Sequence, residues 1–307
     1  MDETPEMTAT ADVSEDHDIT QDISAWAYWR PLVLTSAFYC ILTFVAAALL
    51  AIRNGEWLLF FSFSAMFAQS QLSGIFAALG TGGYFTRLAI SQGCLVVVFL
   101  GMLGGSFVGS QGKPDPDVAF TTLVFAVAAS VMPQLAYGFF RFVRDWRFHR
   151  KGAERGPVFN LKDLFAITAY VSVVVSALNL AAVRSSVFAG EGVLACMVIA
   201  GILLIGTFIY GIPTLATTFK FQEVDHSFAI QMIIVATFGF VTLLPLIAIG
   251  ANMVVGPLAF FLCGCSLFTW LPLVIMRERG FVLTNGKSSH STEQNRAADF
   301  AGQNLDA

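Results

Sequence analysis

Of the 307 residues, 56% are apolar and only 12% charged, with a mean hydropathy of +0.71 and a formal net charge of -4. A water-soluble fold typically carries about 25% charged residues, so this composition excludes one and makes lipid the solvent. Length is then best counted in membrane spans of about 20 residues.

The first 25 residues are polar and acidic: Asp2, Glu3, Glu6, Asp12, Glu15, Asp16, Asp18 and Asp22 all precede the first basic residue, Arg30. Residues 1–25 read as a solvated, disordered cytoplasmic tail. The stretch has neither the basic n-region nor the apolar h-region of a signal peptide, so insertion is expected to rest on the first span. Eight apolar runs follow, at 32–52, 58–79, 88–110, 118–139, 161–183, 193–214, 228–250 and 254–275. Each is long enough to cross the hydrocarbon as a helix. The expected fold class is an all-α, polytopic integral membrane helix bundle of about eight transmembrane helices. Residues 26–140 and 161–276 form two four-span halves, joined by a basic cytoplasmic loop at 141–160 and followed by a polar cytoplasmic tail at 277–307.

The halves resemble each other weakly. RPLVLTSAFYCILTFVAAALLAIR (30–53) aligns with KDLFAITAYVSVVVSALNLAAVR (162–184), and LAISQGCLVVVFLGM (88–102) with FAIQMIIVATFGFV (228–241). An even number of spans per half would make this a 4+4 parallel repeat about an axis along the membrane normal.

Basic residues set the expected orientation, because Lys and Arg are retained on the cytoplasmic side. With the N-terminus inside, 14 of the 17 fall in inner segments, leaving only Arg53, Lys113 and Arg184 outside. Seven of them crowd into residues 140–162, which reads first as a topological anchor. On a helix continuing span four, Arg141, Arg144, Arg147 and Lys151 would share one side with Phe142 and Trp146 opposite, and Phe148 breaks the pattern. Such a face could hold anionic lipid headgroups, each basic residue adding about 1 kcal/mol near the surface. A protein partner, the acidic tail included, is the remaining reading. No nucleic-acid recognition motif accompanies the charge.

No Asp, Glu, Lys, Arg or His lies near the middle of a span, although ionisable groups at depth are what mark intramembrane catalysis and coupled transport. The four histidines, His17, His149, His226 and His290, fall in tails or loops, and no H-E-x-x-H, P-loop or dinucleotide fingerprint occurs. The expectation is no catalytic residue, no metal site and no cofactor. The five cysteines, Cys40, Cys94, Cys196, Cys263 and Cys265, read as small buried hydrophobes, with Cys263 and Cys265 diverging because they stand two apart on a helix. The acid and histidine group Glu223, Asp225 and His226 reads as a polar turn.

Uncharged polarity remains. Gln69 and Gln71 lie mid-span, and Gln92, Gln134 and Gln231 enter spans three, four and seven near their cytoplasmic ends. Amides left unpaired in hydrocarbon are costly, so these should turn inward, either as interhelical bonds or as the lining of a cavity open to the cytoplasm. Pro133 should free a backbone carbonyl near Gln134. Gly101, Gly105 and Gly109 form a double G-x-x-x-G that lets a second backbone approach, within the chain or in a dimer.

Two stretches resemble a known group. VFNLKDLFAITAYVSVVVSALNLA (158–181) is similar to the F-[SN]-[IL]-[KR]-[DT]-L-[LF] lead-in to an apolar helix in membrane proteins of planctomycete bacteria. AQSQLSGIFAALGTGGYFTRLAIS (68–91) resembles their G-Q-L-S-x-x-A-x-W-x-x-L-G-x-G segment, with Ser70 where that pattern has Gly and Phe76 or Ala77 near its Trp. The resemblance implies a multi-pass protein of a bacterial inner membrane and carries over no activity or functional residue. The combined expectation is a non-enzymatic interaction or scaffold bundle with both termini cytoplasmic, whose partners are lipid, a second copy or another membrane protein. The alternative is a permease for a small, largely uncharged or amphipathic solute.

Overall fold

The computed structural model describes residues 13–53, 56–112, 116–151, 200–201, 203–221, 224–248 and 252–285, with residues 165, 169, 170, 172 and 176. In chain order these form α1 (Val13–Arg53), α2 (Glu56–Leu79), α3 (Tyr84–Gly109), α4 (Pro116–Arg144), β1 (Trp146–Arg150), a π-turn (Thr207–Gly211), α5 (Ile212–Lys220), α6 (Val224–Ala248), α7 (Asn252–Glu278) and β2 (Phe281–Asn285). Among the described residues, six segments are long and apolar enough to cross a membrane: Trp26–Leu50, Trp57–Leu79, Tyr84–Gly109, Phe125–Arg144, Leu203–Lys220 and Leu258–Glu278. The chain is a largely helical membrane protein. The expected span at 161–183 lies almost wholly outside the described residues, and α6 contributes a shorter apolar stretch, His226–Thr237. Helix α1 already runs from Val13, so it extends into the acidic stretch read from composition as part of a disordered tail.

α2 is the axis of the bundle. Of its span 78% is buried, against 33–50% for the other five. Its sequence explains why: Ser62, Ser64, Ala65, Ala68, Ser70, Ser73, Ala77 and Ala78 are all buried, and small residues let neighbouring backbones come close. A Cβ added at Gly74 would stand 2.7 Å from Pro133 Cβ on α4, and one at Gly264 on α7 would stand 2.8 Å from Ser64 Oγ. α1 packs against α3 through the glycine motif, where a Cβ at Gly101 would lie 2.5 Å from the Cys40 carbonyl oxygen and one at Gly105 would overlap that of Phe44. Gly109 is part-buried at the end of α3.

The architecture is all-α as expected, and one end of the bundle is closed by a two-stranded antiparallel sheet that the sequence did not announce. β1 pairs with β2 from Trp146 opposite Asn285 to Arg150 opposite Phe281, and the Lys151 amide extends the ladder to the Gly280 carbonyl at 2.8 Å. Asp145 (φ 51) ends α4 and Gly280 (φ 85) ends α7 in left-handed conformations that turn the chain into each strand. The basic stretch is therefore not one helix face: Arg141 and Arg144 sit in the last turn of α4, Arg147 is in a strand, and Lys151 follows it. Phe148, out of place in the helical pattern, is the buried residue of a period-two strand. It stacks on Phe281 with ring centroids 5.2 Å apart, and Phe76, Phe219 and Tyr28 complete the cluster around this pair. Phe281–Asn285 likewise belongs to the sheet rather than to a polar tail.

The register predicts a crosslink. With the native cysteines replaced, His149→Cys with Val282→Cys is expected to form a disulfide within one chain, since directly opposed strand residues lie within bridging distance. The offset pair His149→Cys with Thr284→Cys should not, and mobility on a non-reducing gel reads the difference.

Candidate functional site

Two places concentrate polar groups: the membrane-depth surface of α2, and the sheet end of the bundle. At depth the five glutamines do not converge. Gln69 and Gln71 are two apart on α2, so their side chains leave in nearly opposite directions. Gln71 reaches both α4 and the π-turn, its Nε2 donating to Thr207 Oγ1 at 3.0 Å and its Oε1 accepting from the Tyr137 hydroxyl at 3.1 Å. Both ends of the amide are occupied. Gly211 of the π-turn has no room for a Cβ beside Gln71 Oε1 and the Tyr137 hydroxyl, so the extra residue of the wider turn lets the backbone skirt this bonded pair.

Gln231 joins three helices in the same way. Its Nε2 donates to Ser266 Oγ on α7 at 2.6 Å and its Oε1 accepts from Thr214 Oγ1 on α5 at 3.0 Å. Gln134 and Gln92 share an acceptor, the Ser130 carbonyl, at 2.5 and 3.5 Å. That carbonyl is next to the Ala129 carbonyl, the one deprived of its helical donor by Pro133, and the Tyr170 hydroxyl donates to Ser130 Oγ at 3.0 Å. Gln69 Nε2 donates to Ser36 Oγ on α1 at 2.7 Å and lies 3.3 Å from Ser73 Oγ. Among the described residues, Gln69 Oε1 and Gln134 Oε1 accept no hydrogen bond.

At the sheet end, arginines close helices. Arg141, 5% exposed, donates to the Ala78 carbonyl at 2.6 Å and lies 3.4 Å from that of Gly80. Arg87, 1% exposed, reaches the same two carbonyls at 3.5 and 2.5 Å. Arg277 donates to Thr218 and Phe221 carbonyls at 3.1 and 2.9 Å. The last carbonyls of α2 and α5, which have no intrahelical donor, thus take guanidinium N–H groups, and cations suit the negative end of the helix dipole. The Tyr28 hydroxyl accepts from the Thr81 amide at 3.3 Å and donates to the Phe148 carbonyl at 3.2 Å, tying the α2–α3 turn to β1.

Of the four residues expected to face anionic headgroups, Arg141 is buried as a helix cap, and Arg147 bonds Asp145 through Nε and Nη2 at 3.1 and 3.2 Å. Arg144 and Lys151 are exposed, as is Arg150. Cys94 and Cys265 are buried and Cys40 part-buried, but Cys263 is exposed, which corrects the reading of every cysteine as interior; its divergence from Cys265 is as expected. Cys196 and Glu223 lie outside the described residues, and His226 is exposed at the start of α6. Among the described residues no group of three or more His, Cys, Asp or Glu is placed to hold a metal ion.

The partners Ser36, Ser130, Tyr137, Thr207, Thr214 and Ser266 were not singled out by the sequence. Their signal was only a lone hydroxyl within an apolar run, which is ordinary in membrane helices. Set against family models, curated proteins and solved structures, the chain matches none.

Proposed function

We propose that this protein is a non-enzymatic, eight-span bundle of a bacterial inner membrane that acts as a membrane-resident interaction or scaffold unit, with both termini cytoplasmic. The observation that carries this reading is the use of Gln71 and Gln231 as interhelical joints with both amide ends occupied. A permeation path needs polar atoms left for a solute, whereas these are spent on packing.

Parity supports the span count. At the sheet end Tyr28 bonds Phe148, Arg87 and Arg141 bond Gly80, Arg277 bonds Thr218, and Lys151 bonds Gly280. The chain is at that end at Lys151 and again at the close of Leu203–Lys220, which agrees with the single apolar run read between them from the sequence. One crossing at 161–183 makes the total eight. Arg144, Arg150 and Lys151 form an exposed basic rim at this end, which on the positive-inside rule is cytoplasmic and suits anionic headgroups. Its partners in the membrane are a second copy or another membrane protein, and no nucleic acid is involved.

A permease for a small neutral or amphipathic solute is the second reading, favoured by Gln134, whose buried Oε1, next to Pro133 within α4, accepts no bond among the described residues. Proteoliposomes separate the two. Stopped-flow light scattering with glycerol and urea gradients is expected to match protein-free vesicles. Gln71→Leu should cost about 1–2 kcal/mol of stability, the upper range for an interhelical hydrogen bond. Protein-dependent flux that is lost in Gln134→Leu would establish the permease instead.

A further inference from the structure

Helices α1, α2 and α3 enclose a polar wedge that no packing role uses up. Ser36 on α1, Gln69 and Ser73 on α2, and Ser91 and Cys94 on α3 are each at most 8% exposed. Ser36 is their hub: its hydroxyl donates to the Leu32 carbonyl at 2.7 Å, accepts from Gln69 Nε2 and meets the Cys94 thiol. Ser91 stands three residues before Cys94 on the same face of α3, as Ser73 stands one turn beyond Gln69. The two helices run antiparallel through the short 80–83 connection, so both steps lead toward the sheet end and bring Ser73 and Ser91 to one level.

Two atoms in this wedge bond to nothing among the described residues, Gln69 Oε1 and Ser91 Oγ. Ser91 is unusual in this. Ser36, Thr43, Ser62 and Ser64 all give their proton to the carbonyl four residues back, the ordinary recourse of a hydroxyl in an apolar helix, and Ser91 does not. Exchanging oxygen and nitrogen in the Gln69 amide would not help, because Ser36 already spends its proton on Leu32 and the orphan would become an N–H group. Polar groups so deeply buried are normally satisfied by protein or by an ordered water.

We propose that the α1–α2–α3 wedge is a binding site for one water molecule that bridges Ser91 Oγ and Gln69 Oε1. Ser91 donates to the water, the water donates to the amide oxygen, and Ser73 Oγ is a third polar atom within the same wedge. This goes beyond the scaffold reading and does not depend on it, since a hydrated joint would serve a permease equally.

The test is Ser91→Ala in the full-length protein in nanodiscs, together with a high-resolution cryo-EM map of the parent. The map is expected to show a peak within hydrogen-bonding distance of both atoms. Ser91→Ala should lower Tm by several degrees, and Gln69→Leu should cost less in the Ser91→Ala background than in the parent because the bridge is already gone. A hydroxyl that bonds to nothing would be better removed. If Ser91→Ala is as stable as the parent or more so, or if the map holds no peak there, the proposal is overturned.

Discussion

Gly105→Leu is expected to abolish a stable, monodisperse bundle. The obstacle to a side chain at Gly105 is the Phe44 backbone carbonyl, with Ala47 Cβ 3.0 Å away, so no rotamer change can relieve the overlap and α1 must move bodily off α3. Overpacking a well-filled interior usually costs about 1–3 kcal/mol when side chains can adjust. With backbone as the obstacle we expect at least the upper end of that range, a large part of the roughly 5–15 kcal/mol that holds a domain together. Gly93 supplies the control: it lies on the same helix, is exposed, and a Cβ there meets nothing within 4 Å. Gly93→Leu should behave like the parent in fluorescence-detected size exclusion and in a thermal ramp. Equal tolerance of both substitutions would show that the glycine motif serves an outer surface, as a dimer interface would require, and not the α1–α3 contact.

The second large effect is expected at the double arginine cap. Arg141→Met leaves the Ala78 carbonyl with Arg87 alone, at 3.5 Å, and Arg87→Met leaves the Gly80 carbonyl with Arg141 alone, at 3.4 Å. Both are at the limit of a hydrogen bond. A buried bond to a charged donor contributes about 1.5–3 kcal/mol, and the stranded acceptor adds to its loss. Each substitution should therefore cost roughly 3 kcal/mol, read from Tm. Because the two guanidiniums share both acceptors, the double variant should depart from the sum of the singles, as groups within one network do. Arg141→Lys discriminates further. A topological anchor needs only charge, so lysine would restore stability along with orientation. A cap needs the reach and planar fork of the guanidinium, so Arg141→Lys should preserve orientation in a labelling assay while remaining less stable than the parent.

That contrast shows where sequence reading stopped. Arg87 and Arg141 could be read from their charge as lying on the retained side, but their role as caps depends on where the end of α2 falls in space, which no local pattern encodes. The runs behind α1 to α4 were legible because twenty apolar residues in a row leave few alternatives in lipid. The glycine spacing was legible as close approach, and Gly101 and Gly105 make it. Gln71 and Gln231 could be expected to bond, though their hydroxyl partners could not be picked out from dozens of similar residues. Pro133 was expected to free a carbonyl near Gln134; by helix geometry that is the Ala129 carbonyl, whereas Gln134 and Gln92 both donate to the next one, that of Ser130. The π-turn left no trace in the pattern, since it arises from a contact between Gly211 and a bonded pair on two other helices. β1 did leave a trace: Phe148 is wrong for a helix face and right for alternation, and five residues were too few to weigh against the long helix before them.

The pairing of β1 with β2 also bears on how the protein is made. The stretch from Trp146 to Arg150 emerges from the ribosome well before its partner at Phe281–Asn285, and α1 to α4 can enter the bilayer in the interval. Until the later strand arrives, Phe148 lacks its stacking partner Phe281 and the aromatic cluster over the end of α2 stays open. The clasp therefore closes last, and a chain halted anywhere before Phe281 would present an oily, unfastened end to the quality-control proteases of the membrane.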